Sequence, residues 1–124
     1  VTGALAPSVL AAVAAGGAAG TLLRYLLGVW VPRSHPGAFP VATLAINVAG
    51  SLALGWLLRR LDPAAVAPAL RTALTVGVCG GFTTFSTFSV EVVQLLQAGR
   101  AGRALVYLLV SVVAGVAAAW VALR

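Results

Sequence analysis

Apolar residues in this chain do not alternate with polar ones; they run. Four stretches dominated by Ala, Val and Leu extend from about Pro7 to Val31, Val41 to Leu58, Ala69 to Gln97 and Ala104 to Leu123. The first is punctuated by "VPRSHPGAFP" and the second closes on Arg59 and Arg60. Each is near the ~20 residues needed to cross about 30 Å of hydrocarbon. Lipid offers the backbone no hydrogen-bond partner, so the pattern predicts four transmembrane α-helices. The links, Pro32 to Pro40, Leu61 to Pro68 and Ala98 to Arg103, leave no room for a soluble domain. Residues 1–124 are therefore expected to form a single membrane domain of the all-α class.

Composition agrees. The chain is 61% hydrophobic and 8% charged, with a mean hydropathy of +1.07, where a soluble domain carries about 25% charged residues. The net charge of +6 comes from eight arginines, with no lysine, against Asp62 and Glu91. Such a balance can mark nucleic-acid binding, but these arginines lie scattered at segment ends and form no basic patch, which excludes that partner. The single cysteine, Cys79, allows no disulfide within the chain. A cleaved signal is the other reading of the first span, whose "AAVAAGGAAG" offers small residues to a peptidase. No basic residue precedes Arg24, whereas a signal carries positive charge ahead of its apolar region, so the span is expected to stay.

Orientation is unusual. With four spans, one side holds Arg59, Arg60, Arg71 and Arg124; the other holds Arg33, Arg100 and Arg103, plus Arg24 if it reaches the interface. Topology needs an excess of basic residues on one side, and there is none. The chain is also too small to enclose a pore alone. Both points favour insertion in both orientations and an antiparallel, dual-topology homodimer. Small residues supply the means of close helix packing: Gly16 and Gly20 make a G-x-x-x-G pattern, and Gly50, Ser51 and Gly55 follow in the second span.

Polar residues within the spans are costly in lipid and so are candidates for function. Asn47 lies mid-span, with Thr43 one turn earlier on the same face; an interhelical hydrogen bond is the plain alternative. Tyr107 and Ser111 share a face of the fourth span, and Gly115 continues that line without a hydroxyl. Arg24 either snorkels to the headgroups or sets positive charge at the mouth, or vestibule, of an anion path. Glu91 is expected to reach the aqueous end of its helix.

The third span carries the most information. In "GVCGGFTTFSTFSVEVV", Gly77, Gly80 and Gly81 are expected to break the helix near its middle. A break at membrane depth is tolerated only inside protein or beside a water-filled cavity, and unwound carbonyls there can coordinate a cation. Beyond it, Phe85 and Phe88 share a face while Ser86 and Thr87 point elsewhere, and Thr83 and Thr84 lie at the break. Ring edges carry partial positive charge, so a small anion could rest on them weakly enough to leave. Two core phenylalanines beside a glycine kink are the alternative.

These residues carry a resemblance. "GGFTTFSTFSVE" resembles the signature of the Fluc-type, or CrcB-like, fluoride ion channels. "AINVAGS" around Asn47 and "GTLLRY" around Arg24 resemble two further motifs of that family, in the same order. The likeness covers essentially the whole chain. It implies a dual-topology antiparallel homodimer in the cell's inner (plasma) membrane that exports fluoride passively and relieves its toxicity. It implies a structural Na⁺ at the dimer centre, held by the backbone carbonyls of Gly80 and Thr83 of each subunit. Phe85 and Phe88 match the family's pore phenylalanines and Asn47 its pore asparagine. Tyr107 and Ser111 match the start of a polar track, and Gly115 stands where a further serine can occur. Thr43, Ser86 and Thr87 complete the candidate fluoride path, and Arg24 its vestibule. No catalytic set is present, so the chain is not expected to be an enzyme. A small dual-topology, proton-coupled multidrug exporter is the alternative, and it would need a membrane carboxylate that the first span lacks. A scaffold without transport would leave the Phe, Ser and Thr run without a purpose.

Overall fold

A computed structural model describes residues 2–35 and 37–124. Pro36, within the first expected link, lies outside the described residues. The elements are helical: α1 (Pro7–Trp30), α2 (Val41–Arg60), α3 (Pro68–Thr72), a π-helical turn (Ala73–Cys79), α4 (Gly80–Phe82), α5 (Phe85–Gln97) and α6 (Ala101–Leu123). Together they make four rods long and apolar enough to cross a membrane, the third running Pro68–Gln97 with its break inside. The expected span limits agree to within three residues, the largest difference being the start of α6 at Ala101 rather than Ala104.

Local chemistry sets the ends. Pro7 and Pro68 begin their helices, where a missing N–H costs nothing. At the end of α5, Gly99 takes a positive φ of 70°, and the Arg100 N–H reaches back to the Leu95 carbonyl at 2.8 Å.

The rods associate through glycine. The first half of the third rod lies on α1. A Cβ on Gly16 or Gly20 of α1 would strike the Ala73 or Val78 carbonyl. In return, a Cβ on Gly77 would lie 2.9 Å from the Val13 carbonyl, and one on Gly81 would lie 2.5 Å from that of Gly17. Gly77 and Gly81 are thus a second G-x-x-x-G facing the first. This corrects the expected cause of the break. Gly80 keeps helical angles (φ −66°, ψ −39°), and Gly99 is the only positive-φ glycine among the described residues. The glycines bring two backbones together; they do not unwind one.

The second G-rich run packs elsewhere within the chain. α2 lies along α6, where a Cβ on Gly55 would sit 2.8 Å from that of Ala122. Gly50 leaves room for Thr83 and Phe82 at the break. A small buried core of Leu95, Ala104 and Tyr107 joins α5 to α6, with Phe39, Leu44, Phe88 and Val92 against it.

The break itself falls at Thr83 and Thr84. Thr83 has φ −82°, ψ 158° and Thr84 φ −151°, ψ 115°, so two extended residues separate α4 from α5. The restart is capped: the Thr84 hydroxyl accepts the Thr87 N–H at 3.2 Å, which satisfies one of the orphan donors of α5.

Candidate functional site

Two extended residues in a membrane helix leave backbone groups that must find partners. Asn47, one helix away on α2, supplies two. Its amide oxygen accepts the Thr84 N–H at 2.8 Å, and its amide nitrogen donates to the Thr84 carbonyl at 3.0 Å. The side chain replaces a missing turn of helix. Arg24 does the same from α1, donating Nε to the Gly81 carbonyl at 3.0 Å. The Thr83 N–H and hydroxyl both turn back to the Cys79 carbonyl, at 3.0 and 2.9 Å. Of the two readings open for Arg24, snorkelling is set aside: the guanidinium is anchored at the break.

The break releases the four carbonyls from Gly80 to Thr83, of which Arg24 and Thr21 take that of Gly81. In an unbroken helix the Thr84 N–H would serve Gly80, but it goes to Asn47. The Thr87 N–H would serve Thr83, but it goes to the Thr84 hydroxyl. Gly80 and Thr83 are therefore relieved of their helical partners, with Gly80 exposed on the surface of the single chain. Neutral carbonyl oxygens freed in this way are the donor type that a hard monovalent cation takes.

A groove of about 330 Å³ runs beside the break, lined by Asn47, Ser51, Gly80, Thr83, Phe85 and Ser111 among others. Phe85 is 80% exposed in the single chain, while Phe88 is partly buried. Their centroids are 5.8 Å apart. Phe88 in turn meets Tyr107 edge-on at 5.1 Å, and Tyr107 meets Phe39 at 5.4 Å. A row of rings thus ties the exposed Phe85 to the loop before α2. The Ser111 hydroxyl is buried and has no partner among the described residues. Gly115 faces Ser51: a Cβ there would lie 3.7 Å from the Ser51 hydroxyl oxygen, an ordinary contact.

Thr43 and Tyr107 are drawn away from that groove by a residue assigned to water. Glu91 is buried at 8% exposure rather than standing at an aqueous helix end. One carboxyl oxygen accepts from the Thr43 hydroxyl at 2.9 Å and the other from the Tyr107 hydroxyl at 2.7 Å. The physical reason is that α5 continues for six residues beyond Glu91, to Gln97, so the carboxyl lies within the rod. That continuation, through the apolar "VVQLL", is the signal in the sequence that could have located it. Tyr107 and Ser111 accordingly separate, the first wholly buried on Glu91 and the second on the groove. Ser86 and Thr87 lie on a different hollow, of about 320 Å³, together with Glu91 and Arg33. Thr21 is a further residue that the pattern missed, its hydroxyl donating to the Gly81 carbonyl at 3.4 Å.

Comparison with known proteins points one way. A family profile described as "CrcB-like protein, Camphor Resistance (CrcB)" matches residues 11–123. A protein of Stutzerimonas stutzeri named "Fluoride-specific ion channel FluC" is 44% identical over 116 residues, 90% of this chain and 91% of that one. One of Pseudomonas putida with the same name is 44% identical over 117 residues, 94% of each. A third, from Thermus thermophilus, is 50% identical over 72 residues, a match spanning 58% of this chain and 57% of that one.

Proposed function

Because this chain belongs to the CrcB-like family, we propose that it is a fluoride-specific ion channel of the plasma membrane. It is a multi-pass membrane protein and not an enzyme. The observation that carries the reading is the braced break. Asn47 and Arg24 hold a discontinuity in the third rod open beside Phe85, Phe88 and Ser111, instead of letting the rod run through. A helix built only to pack has no use for that arrangement.

The working unit is an antiparallel homodimer. In support, a groove lined by Asn47, Ser51, Gly80, Thr83 and Ser111 is open on one chain, with Phe85 80% exposed at its wall and Gly80 exposed beside it. Leaving its polar residues to lipid is costly. A second copy laid across the groove would cover them, and Phe85 with them. Fluoride passes along Phe85, Phe88, Ser86, Thr87 and Ser111, in a path that Thr43, Asn47 and Tyr107 shape by holding Glu91 and the break. Ring edges and hydroxyl donors bind a small anion without a full positive charge to trap it. Arg24 lends positive charge to the vestibule; its Nε is committed to Gly81, so it acts from a fixed place. The structural Na⁺ is held by the Gly80 and Thr83 carbonyls of both subunits. The release of those two oxygens by the break fits that donor set. When bound, the ion would supply positive charge to hold those carbonyl oxygens together.

Glu91 does place a carboxyl inside the membrane, the group that the multidrug-exporter alternative requires. Both its oxygens are occupied by hydroxyls of the same chain, and the family is one of channels, so that alternative is not retained. The deciding experiment is reconstitution into liposomes with fluoride efflux read by an electrode, without a proton gradient. Efflux well above that of protein-free vesicles is expected. No fluoride flux, or flux only when a proton gradient is imposed, overturns the reading.

A further inference from the structure

The link between α1 and α2 holds a cation that the site above does not use. Arg33 stands three residues beyond the end of α1. One terminal nitrogen donates to the Gln94 side-chain oxygen at 2.8 Å and the other to the Ala38 carbonyl at 3.2 Å. Both partners are neutral. The third nitrogen, Nε, is buried and its N–H has no acceptor among the described residues. The Glu91 carboxyl, which accepts from Thr43 and Tyr107, makes no bond to it. The guanidinium is thus fixed in place without a direct ion pair.

Arg33 and Glu91 lie together on the walls of three hollows. One, of about 190 Å³, reaches back under the link. One, of about 320 Å³, holds Ser86 and Thr87. The largest, of about 570 Å³, extends to Arg24 and Thr84 at the break. Arg33 therefore stands at the loop end of a largely apolar-walled hollow whose inner end is the break. A carboxyl at the same mouth with no cation beside it would repel an anion. A fixed guanidinium with a spare buried donor does the opposite, because low-dielectric cleft walls focus the field and raise the local anion concentration.

We propose that Arg33 is the anion-attracting residue at the loop-side mouth of the path. It offsets Glu91 and draws a small hydrated monovalent anion toward Thr87 and the break. The inference rests on the fluoride-channel reading and adds a residue that acts through charge. Its test compares wild type, Arg33→Gln, Arg33→Lys and Gln94→Ala in liposomes, at low ionic strength and in high concentrations of an impermeant salt, with fluoride as the probe. Arg33→Gln lowers initial efflux at low ionic strength by roughly three- to tenfold. The deficit shrinks to within about twofold in high salt, where exposed charges are screened. Arg33→Lys keeps the charge and stays within about twofold of wild type, and Gln94→Ala, which removes a neutral partner, is unchanged.

Equal flux from Arg33→Gln and wild type at both ionic strengths overturns the proposal. So does a loss in Arg33→Lys as large as in Arg33→Gln, since the fork's loop bonds would then be what matters. If Arg33→Gln does not assemble by size-exclusion chromatography, the wild type decides: efflux that does not fall as impermeant salt rises overturns the proposal. Wild-type vesicles with no fluoride efflux at all would instead sink the channel reading itself.

Discussion

Thr43 and Tyr107 approach Glu91 from α2 and α6, so three helices depend on two hydroxyl bonds. Thr43→Val and Tyr107→Phe each keep the shape and leave one buried carboxyl oxygen without a donor. Each is expected to cost about 1–3 kcal/mol, the penalty of an unsatisfied buried polar atom. Thermal unfolding in detergent checks this, and unchanged midpoints in both variants would mean that water or lipid headgroups replace the hydroxyls. Asn47→Asp tests the brace in the same way. A carboxylate can still accept the Thr84 N–H but cannot donate to the Thr84 carbonyl, so flux and stability are both expected to fall. Half of the eight arginines serve backbone carbonyls. Arg24, Arg33, Arg71 and Arg103 each donate to a backbone carbonyl, those of Gly81, Ala38, Leu61 and Gly37. A planar fork can satisfy a carbonyl with one N–H and keep the others free, which a single ammonium does less well. Glu91 was the residue hardest to read in the sequence. Its partners lie 48 and 16 positions away, and nothing local announces them.

The same glycine means different things on different faces of one rod. Gly81→Ala places a methyl 2.5 Å from the Gly17 carbonyl, and backbone there cannot yield without separating α1 from the third rod. A loss of roughly 1–3 kcal/mol is expected, as for other overpacked sites. Gly80→Ala meets nothing within 4 Å in the single chain and replaces a helical glycine with a better helix former. It is expected to leave the fold of each subunit intact and to act on pairing, because Gly80 faces the open groove. Circular dichroism, thermal unfolding and size-exclusion chromatography of the two variants separate these effects; a Gly80→Ala chain that loses helix would restore flexibility at Gly80 as the cause of the break. Gly115→Ser is expected to be silent in the same assays, since its new Cβ stands in ordinary contact with Ser51. The four rods were legible because lipid forces long apolar runs into helices. The cause of the break was less so. "GG" looks like the weak point of a helix, but Thr83 and Thr84 carry it, since hydroxyls and Asn47 can repay an interrupted ladder whereas glycine offers only freedom. Which glycines face α1 and which face outward is set by register between two rods far apart in sequence.

For the whole molecule, the anchoring of Arg24 at the break removes it from the interface count. Arg59, Arg60, Arg71 and Arg124 then stand on one side against Arg33, Arg100 and Arg103 on the other, a difference of one. Each face also carries aromatic anchors, two on the first side and one on the second. Arg60 lies over Trp56 and Arg124 over Trp120 on the first side, and Trp30 is 81% exposed at the end of α1 on the second. A chain with so small a difference in interfacial arginines is expected to insert both ways, and the proposed antiparallel pair would consume both products. Small changes of loop charge should therefore bias insertion without touching the groove. Ala64→Arg with Ala65→Arg loads one side at exposed loop positions, and Ser34→Arg with Ala98→Arg loads the other. Each doubly substituted chain, expressed alone, is expected to accumulate in one orientation and to lose most fluoride efflux for want of an opposite partner. Co-expression of the two should return efflux toward the wild-type level, because each then supplies the orientation the other lacks. A tag accessible from only one side of the membrane reports the bias independently of transport. If either biased chain, shown by its tag to lie in a single orientation, conducts fluoride at the wild-type rate, then the pair is parallel or the single chain suffices, and the antiparallel dimer is wrong.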